Sequence, residues 1–75
     1  MYIVIEMQTN GTTTAILSNA FNDRNLALQK YYMVLAAAAV SQVEVHTAIL
    51  VDEFGNTHYQ DSFDRRIKNE EEETT

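Results

Sequence analysis

Residues 22–41 read NDRNLALQKYYMVLAAAAVS, and this stretch decides the fold because it is the one long helix-forming segment of the chain. Asn22 and Asp23 are favourable N-cap residues, and an acid there suits the positive end of a helix dipole. From Arg24 to about Ser41 there is no Gly or Pro, and most residues are strong helix formers. An apolar stripe recurs at helical spacing, at Leu28, Tyr31, Leu35 and Ala38. We therefore predict one helix whose apolar stripe lies on a sheet.

The segments on either side of this helix are predicted to be β-hairpins. Residues 2–8, 43–52 and 57–63 alternate between two sets of side chains, as strands do, and residues 12–21 alternate more loosely. Asn10-Gly11 joins the first two strands, and this pair is typical of tight hairpins because both central residues need positive φ. Gly55 and Asn56 tolerate left-handed backbone and mark the second turn.

The element order ββαββ leads to one sheet topology. The helix returns the chain from the end of the second strand to the start of the third, so the third strand runs antiparallel to the first and pairs with it. The predicted fold is an α+β two-layer domain over residues 1–63, with a four-stranded antiparallel sheet in order 2-1-3-4 and one helix packed on one face. We expect the face away from the helix to carry Tyr2, Val4, Glu6 and Gln8.

Length and composition are those of one small folded domain. The 75 residues are 45% hydrophobic and 21% charged, which is typical of globular rather than disordered proteins. The absence of Cys and Pro excludes a disulfide scaffold and a Cys-based zinc site. A formal charge of −6 disfavours direct binding to nucleic acid or to an anionic membrane. No cationic segment precedes an apolar run, as a signal peptide requires, and the longest apolar run, residues 33–40, is too short for a membrane span, so we expect a cytoplasmic protein.

Residues 64–75 form a charged C-terminal tail in the sequence. Ile67 is its one aliphatic residue, and Glu70 to Glu73 are an uninterrupted acidic run. Such a composition cannot offset the entropy of ordering the chain, so we expect a disordered tail, at least from Asn69 onward. An acidic run of this kind is typical of a solvated solubility tail rather than of a binding element.

The second half of the helix, residues 33–40, has no polar residue on any side. A helix that is apolar all round is a buried helix, and so short a chain has nothing else to bury it. We therefore expect a homo-oligomer, a dimer or larger, joined through the outer helix face. The predicted interface residues are Met33, Val34, Ala36, Ala37 and Val40. The alternative is that an Ala-rich helix is simply exposed, at little cost in free energy.

Few residues suit catalysis, and we expect that the protein is not an enzyme and takes no cofactor. A Ser–His–Asp set can be written from Ser18 or Ser62, His46 or His58, and Asp61, but the sequence has no nucleophile-elbow glycines. Glu44, His46 and His58 lack the spacing of metal ligands, so we predict no metal site and two ordinary surface histidines.

One small-ligand constellation can be built around two adjacent helical tyrosines. Tyr31 and Tyr32 point about 100° apart on a helix, so one can join the core while the other faces a partner or an interface pocket. With Arg24 or Lys30 for a phosphate, they could bind a small nucleotide by stacking. The alternative is that both tyrosines lie at the core edge with their hydroxyls in water.

Residues 30–41, 45–50 and 52–56 resemble small hypothetical proteins of Firmicutes phages and prophages, and the opening residues 1–6 with Asn10-Gly11 are similar as well. The resemblance covers most of residues 1–56 and leaves out the tail. It implies a viral context. It carries over no functional residues, since that group has no agreed activity.

Three functions follow as hypotheses. The first is a non-enzymatic homo-oligomeric binding protein, phage-encoded and acting against host defence by sequestering a small nucleotide signal between copies. The second is an acidic inhibitor of a nucleic-acid-binding enzyme, motivated by the negative charge. The third is a small structural or assembly protein of the virion.

Overall fold

The computed structural model describes residues 1–66, which form four strands and one helix. The elements are β1 (Tyr2–Asn10), β2 (Thr13–Phe21), α1 (Arg24–Ala39), β3 (Val45–Asp52) and β4 (Thr57–Asp64). The strands form one antiparallel sheet in the order β2-β1-β3-β4, which confirms the predicted α+β fold and sheet order. β4 continues through Asp64, so the predicted boundary after residue 63 falls inside this strand. The remainder of the predicted tail, residues 67–75, lies outside the described residues.

The first hairpin turns one residue later than the Asn-Gly pair suggests. Asn10 still pairs with Thr13, so the two loop residues are Gly11 and Thr12, and Gly11 adopts a φ of 59°. The Asn10 side chain therefore has another role: its Oδ1 accepts a hydrogen bond from the backbone N–H of Glu44, at 3.1 Å. The Gly11 N–H in turn donates to the Glu44 carboxylate at 2.8 Å, which ties the hairpin to the connection between α1 and β3.

The helix begins at the predicted cap. The Asp23 carboxylate accepts a hydrogen bond from the Asn25 N–H at 2.8 Å, and so satisfies one of the free donors of the first turn.

The carboxyl end of α1 is held by Arg65, whose guanidinium donates to the carbonyl oxygens of Ala38 and Val43. Arg65 also lies over the Phe63 ring, with 5.5 Å between the guanidinium carbon and the ring centroid.

The core lies between α1 and the two central strands. Val4, Ala48 and Leu50 from the sheet are packed against Ala27, Tyr31 and Val34 from the helix, with Tyr2, Phe21, Leu28 and Leu35 partly buried around them. Ala38 is also fully buried. The predicted stripe therefore faces the sheet, and Ala27 and Val34 belong to the same face.

The expectation for the two faces of the sheet was wrong. Val4 is buried under α1, and the side chains that alternate with it on β1, namely Ile3, Ile5 and Met7, lie on the opposite face. Both alternating sets of β1 are largely apolar, so the pattern does not say which set meets the helix. The structure places the helix over Ala48, a small side chain that lets two backbones approach closely.

Candidate functional site

The outer face of α1, defined here as Tyr32, Met33, Ala36, Ala37 and Val40, is exposed and carries no charge. Met33 is 59% exposed and Val40 is 84% exposed. Met33 lies within α1 and Val40 is the C-cap residue that follows Ala39, and a separation of seven positions places the two on one side of the helix axis. Four of the five predicted interface residues therefore face away from the sheet, together with the predicted ligand residue Tyr32.

Val34 is the exception, and its assignment to the interface was wrong. It is 4% exposed and belongs to the core, beside Ala27 and Tyr31. The reason is helical geometry: Val34 follows Ala27 by seven residues and Tyr31 by three, which places all three on the buried side. Val34 is not available to a second chain.

The open sheet face, defined here by Ile3, Ile5, Met7, Ile49 and Val51, is a second apolar surface. Cross-strand pairs build it, with Ile3 opposite Val51 and Ile5 opposite Ile49. On β2, Ile16 lies opposite Met7 and extends the surface to the sheet edge. The strand residues that share this face through residue 63 are apolar, Thr, Ser or Gln, and α1 lies on the other side. The sequence analysis implied that Ile3, Ile5 and Met7 face the helix, and the structure places them on the open sheet face instead.

The residues of the predicted nucleotide site are only partly brought together. Tyr31 is 3% exposed and belongs to the core, so it cannot stack on a ligand. Its ring meets Tyr32 edge-on, with centroids 5.2 Å apart, and a tilted Tyr59 ring at 5.8 Å. Tyr32 and Arg24 are exposed, and Lys30 is half-buried, close enough to Glu6 to lower the pKa of that carboxyl.

His46 is buried rather than on the surface as expected. It faces the helix side of the sheet from β3, and its Nε2 lies 2.6 Å from Oε2 of Glu6 on β1. A carboxylate only accepts hydrogen bonds, so Nε2–H of His46 donates to Glu6, and Nδ1 of the same ring is buried without a hydrogen-bond partner. Burial raises the pKa of Glu6, but hydrogen bonds from His46 and Gln8 outweigh burial, so its net pKa is lowered.

His58 pairs with a different acid, at the turn between β3 and β4. Its Nε2 lies 3.1 Å from Oδ2 of Asp52, and its ring meets Tyr2 edge-on at 5.7 Å. The Asp52 carboxylate also accepts hydrogen bonds from the backbone N–H groups of Phe54 and Asn56. Partial burial raises the pKa of Asp52, but these hydrogen bonds prevail and hold it at about 2.

The Ser–His–Asp combinations considered from the sequence do not assemble. Ser62 is opposite Thr47 on the open sheet face, whereas His46 faces the helix. Asp61 accepts a hydrogen bond from the Ser62 N–H and lies on the helix side, opposite Ala48. Ser18, opposite Ile5, is on the open face as well.

Residues 1–66 contain neither a metal-ligand cluster nor a pocket. Within this part of the chain no three His, Asp or Glu side chains come together as metal ligands. The described helix is not long and apolar enough to cross a lipid bilayer. No protein-family model, no curated protein and no solved structure matches this chain.

Proposed function

We propose that this chain is a non-enzymatic binding protein that acts as an assembly of copies joined through the outer face of α1. The observation that supports this proposal is the exposed, uncharged surface around Met33 and Val40. On the only helix of a two-layer domain, that position normally carries Lys, Glu or Gln. Contiguous apolar surface on a small protein marks an interaction site, and small Ala side chains allow close helix-to-helix contact.

In such an assembly the open sheet faces point outward, because α1 and the open face lie on opposite sides of the sheet. Each copy then presents a flat, uncharged surface around Ile5 and Ile49 to a binding partner.

The acidic-inhibitor alternative gains less support, since each carboxylate within residues 1–66 has an intramolecular partner. These acids are Glu6, Asp23, Glu44, Asp52, Glu53, Asp61 and Asp64.

The assembly is tested by measuring the mass of the purified protein in solution. Light scattering at micromolar concentration should give a mass above that of one chain, and a Met33→Glu, Val40→Glu double variant should lower it. Gln42→Glu, an exposed change in the loop after α1, adds the same kind of charge as a control. A single-chain mass for the unaltered protein, or an unchanged mass for the double variant, would overturn the proposal.

The proposed role against host defence rests on the resemblance to small phage proteins, and the proposed ligand is a small nucleotide stacked on Tyr32. Calorimetric titration with purine nucleoside phosphates should give heat that Tyr32→Ala removes and Tyr32→Phe retains. Expression in a bacterial host should lower that host's protection against phage. Absence of binding heat contradicts the ligand, and unchanged plaque counts contradict the anti-defence role.

A further inference from the structure

The two edge strands of the sheet differ in a way that concerns association. β4 carries His58, Asp61 and Asp64, and its pairing with β3 shifts register between Leu50 and Val51. Charges and irregular pairing are the usual features that prevent an edge strand from pairing with another chain. β4 is therefore a protected edge.

β2 has none of these features. It spans nine residues, Thr13–Phe21, without a charge, a Pro or a register shift, and within residues 1–66 it pairs only with β1. Eight of its residues are exposed, and Ile16 and Leu17 are 64% and 55% exposed, one on each face of the sheet. Along its outer side the backbone N–H and C=O groups have no partner strand among the residues that the structure describes. A long, exposed and uncharged edge of this kind is a template for another strand.

We propose that β2 pairs antiparallel with β2 of a second copy, so that two chains form one continuous eight-stranded sheet. The second copy fits because it offers an identical uncharged strand, so that no like charges meet where two acidic molecules approach. A two-fold axis near Leu17, the middle of the strand, keeps the open sheet faces of both copies on the same side. The pairing also closes the assembly, because the protected β4 strands then form both outer edges.

This pairing is independent of the outer face of α1. It uses backbone groups and the side chains of β2, whereas the proposed function depends on Met33 and Val40. If variants of β2 contradict the strand pairing, the contact through the outer face of α1 is still tested by the Met33 and Val40 variants, and the reverse also holds. Both contacts together would give an assembly larger than a dimer.

A charge exchange on Ile16 tests the pairing. Ile16→Lys and Ile16→Glu, each measured alone, should lower the mass in solution because two like charges meet near the axis. An equimolar mixture of the two variants should restore it. Gln60→Lys and Gln60→Glu provide matched controls, since Gln60 lies on the same face of the other edge strand. Masses unchanged by Ile16→Lys, or lowered by it and not restored in the mixture, would overturn the proposal.

Disulfide formation provides a second test, because the chain has no cysteine of its own. Opposite residues of an antiparallel pair have Cα atoms about 4.5–5.5 Å apart, within the range that a disulfide spans. Leu17→Cys should therefore oxidise to a covalent dimer at least ten times faster than Gln60→Cys. Equal rates for the two variants would contradict pairing through β2.

Discussion

His46 and Glu6 are joined by a hydrogen bond across the sheet, with 2.6 Å between Nε2 and Oε2, on the side covered by the helix. The pair is asymmetric: His46 is 4% exposed and Glu6 is 18% exposed, so the acid connects a buried ring to the molecular surface. Gln8 completes the arrangement, since its side-chain amide donates to the same Glu6 oxygen at 2.9 Å.

Removal of the Glu6 carboxylate should destabilise the protein more than removal of the Gln8 amide. Glu6→Ala leaves Nε2–H of His46 buried without an acceptor, and an unsatisfied buried group costs about 1–3 kcal/mol. Gln8→Ala is the control, because it removes one donor but keeps the His46 pair. Urea unfolding followed by circular dichroism measures both. Equal losses of free energy of unfolding in the two variants would contradict the prediction that the buried His46–Glu6 pair contributes more stability than the Gln8 amide.

Asp52 should make stability depend on pH under acid conditions. Its folded pKa of about 2 lies below the ordinary value of 3.8, so the folded state binds this proton less readily than the unfolded chain. The contribution is therefore fully present above about pH 4 and is lost as the pH falls towards 2. Asp52→Asn should reduce the slope of unfolding free energy between these pH values. An unchanged slope in that variant would contradict the prediction.

Glu6 remains in the Asp52→Asn variant, and its pKa is lowered as well, so some acid dependence should persist. Its sign is the same: stability is present when the carboxyl is ionised and is lost as the pH falls through its folded pKa. Combining Asp52→Asn with Glu6→Gln should reduce the dependence of the free energy of unfolding on pH under acid conditions further than either change alone.

The Arg65 side chain should contribute more to the stability of the fold than the side chain of its neighbour Arg66. The Arg65 guanidinium donates to the carbonyl oxygens of Ala38 and Val43, and the Arg65 backbone N–H donates to the carbonyl oxygen of Glu44 at 2.6 Å. Arg65→Ala should cost about 1–3 kcal/mol, since charged donors at a helix end make the stronger hydrogen bonds. Arg66 forms its hydrogen bonds locally with Asp64 on the surface, and Arg66→Ala should cost less than Arg65→Ala. Thermal unfolding of the two variants compares them directly, and a larger effect from Arg66→Ala would refute this ranking.

Truncation of Val34 should lower the stability of the fold, whereas truncation of Val40 should affect association between copies. Val34→Ala removes two methyl groups from the core and should lower the free energy of unfolding by about 2 kcal/mol. Val40→Ala removes the same atoms from an 84% exposed side chain, and any effect should fall on the mass of the assembly instead. Measuring the free energy of unfolding and the mass in solution for both variants distinguishes the core residue from the surface residue. A stability loss of equal size for Val40→Ala at low protein concentration would contradict the assignment.

Most of the fold could be predicted from short-range patterns. The cap at Asp23, the uninterrupted helix after it and the glycines at the two turns determine five elements in order, and short connections then allow few sheet orders. The turn itself was displaced by one residue, and Asn10 bonds to Glu44, a contact between residues 34 positions apart that no local pattern contains.

The candidate surfaces were predictable only in part. Helical spacing alone places Met33 and Val40 on one side of α1, but an apolar run in all directions does not show that Val34 turns inward. Similarly, alternation divides β1 into two sets without saying which set meets the helix, since Val4 and Ile5 are equally suited to burial. The pairing of His46 with Glu6 depends on strand register, which alternation leaves open.

By itself, then, the amino-acid sequence determined which residues form strands, helix and turns, because these depend on backbone preferences and on neighbours within a few positions. Tertiary structure decided which apolar residues are covered. The free energy of burial is almost the same for Val4 and Ile5, so the choice depends on how closely α1 can approach Ala48 and on the strand register. That choice leaves Ile3, Ile5 and Ile49 on the open face, whereas the sheet order places Ile16 and Leu17 on a strand that pairs only with β1 within residues 1–66.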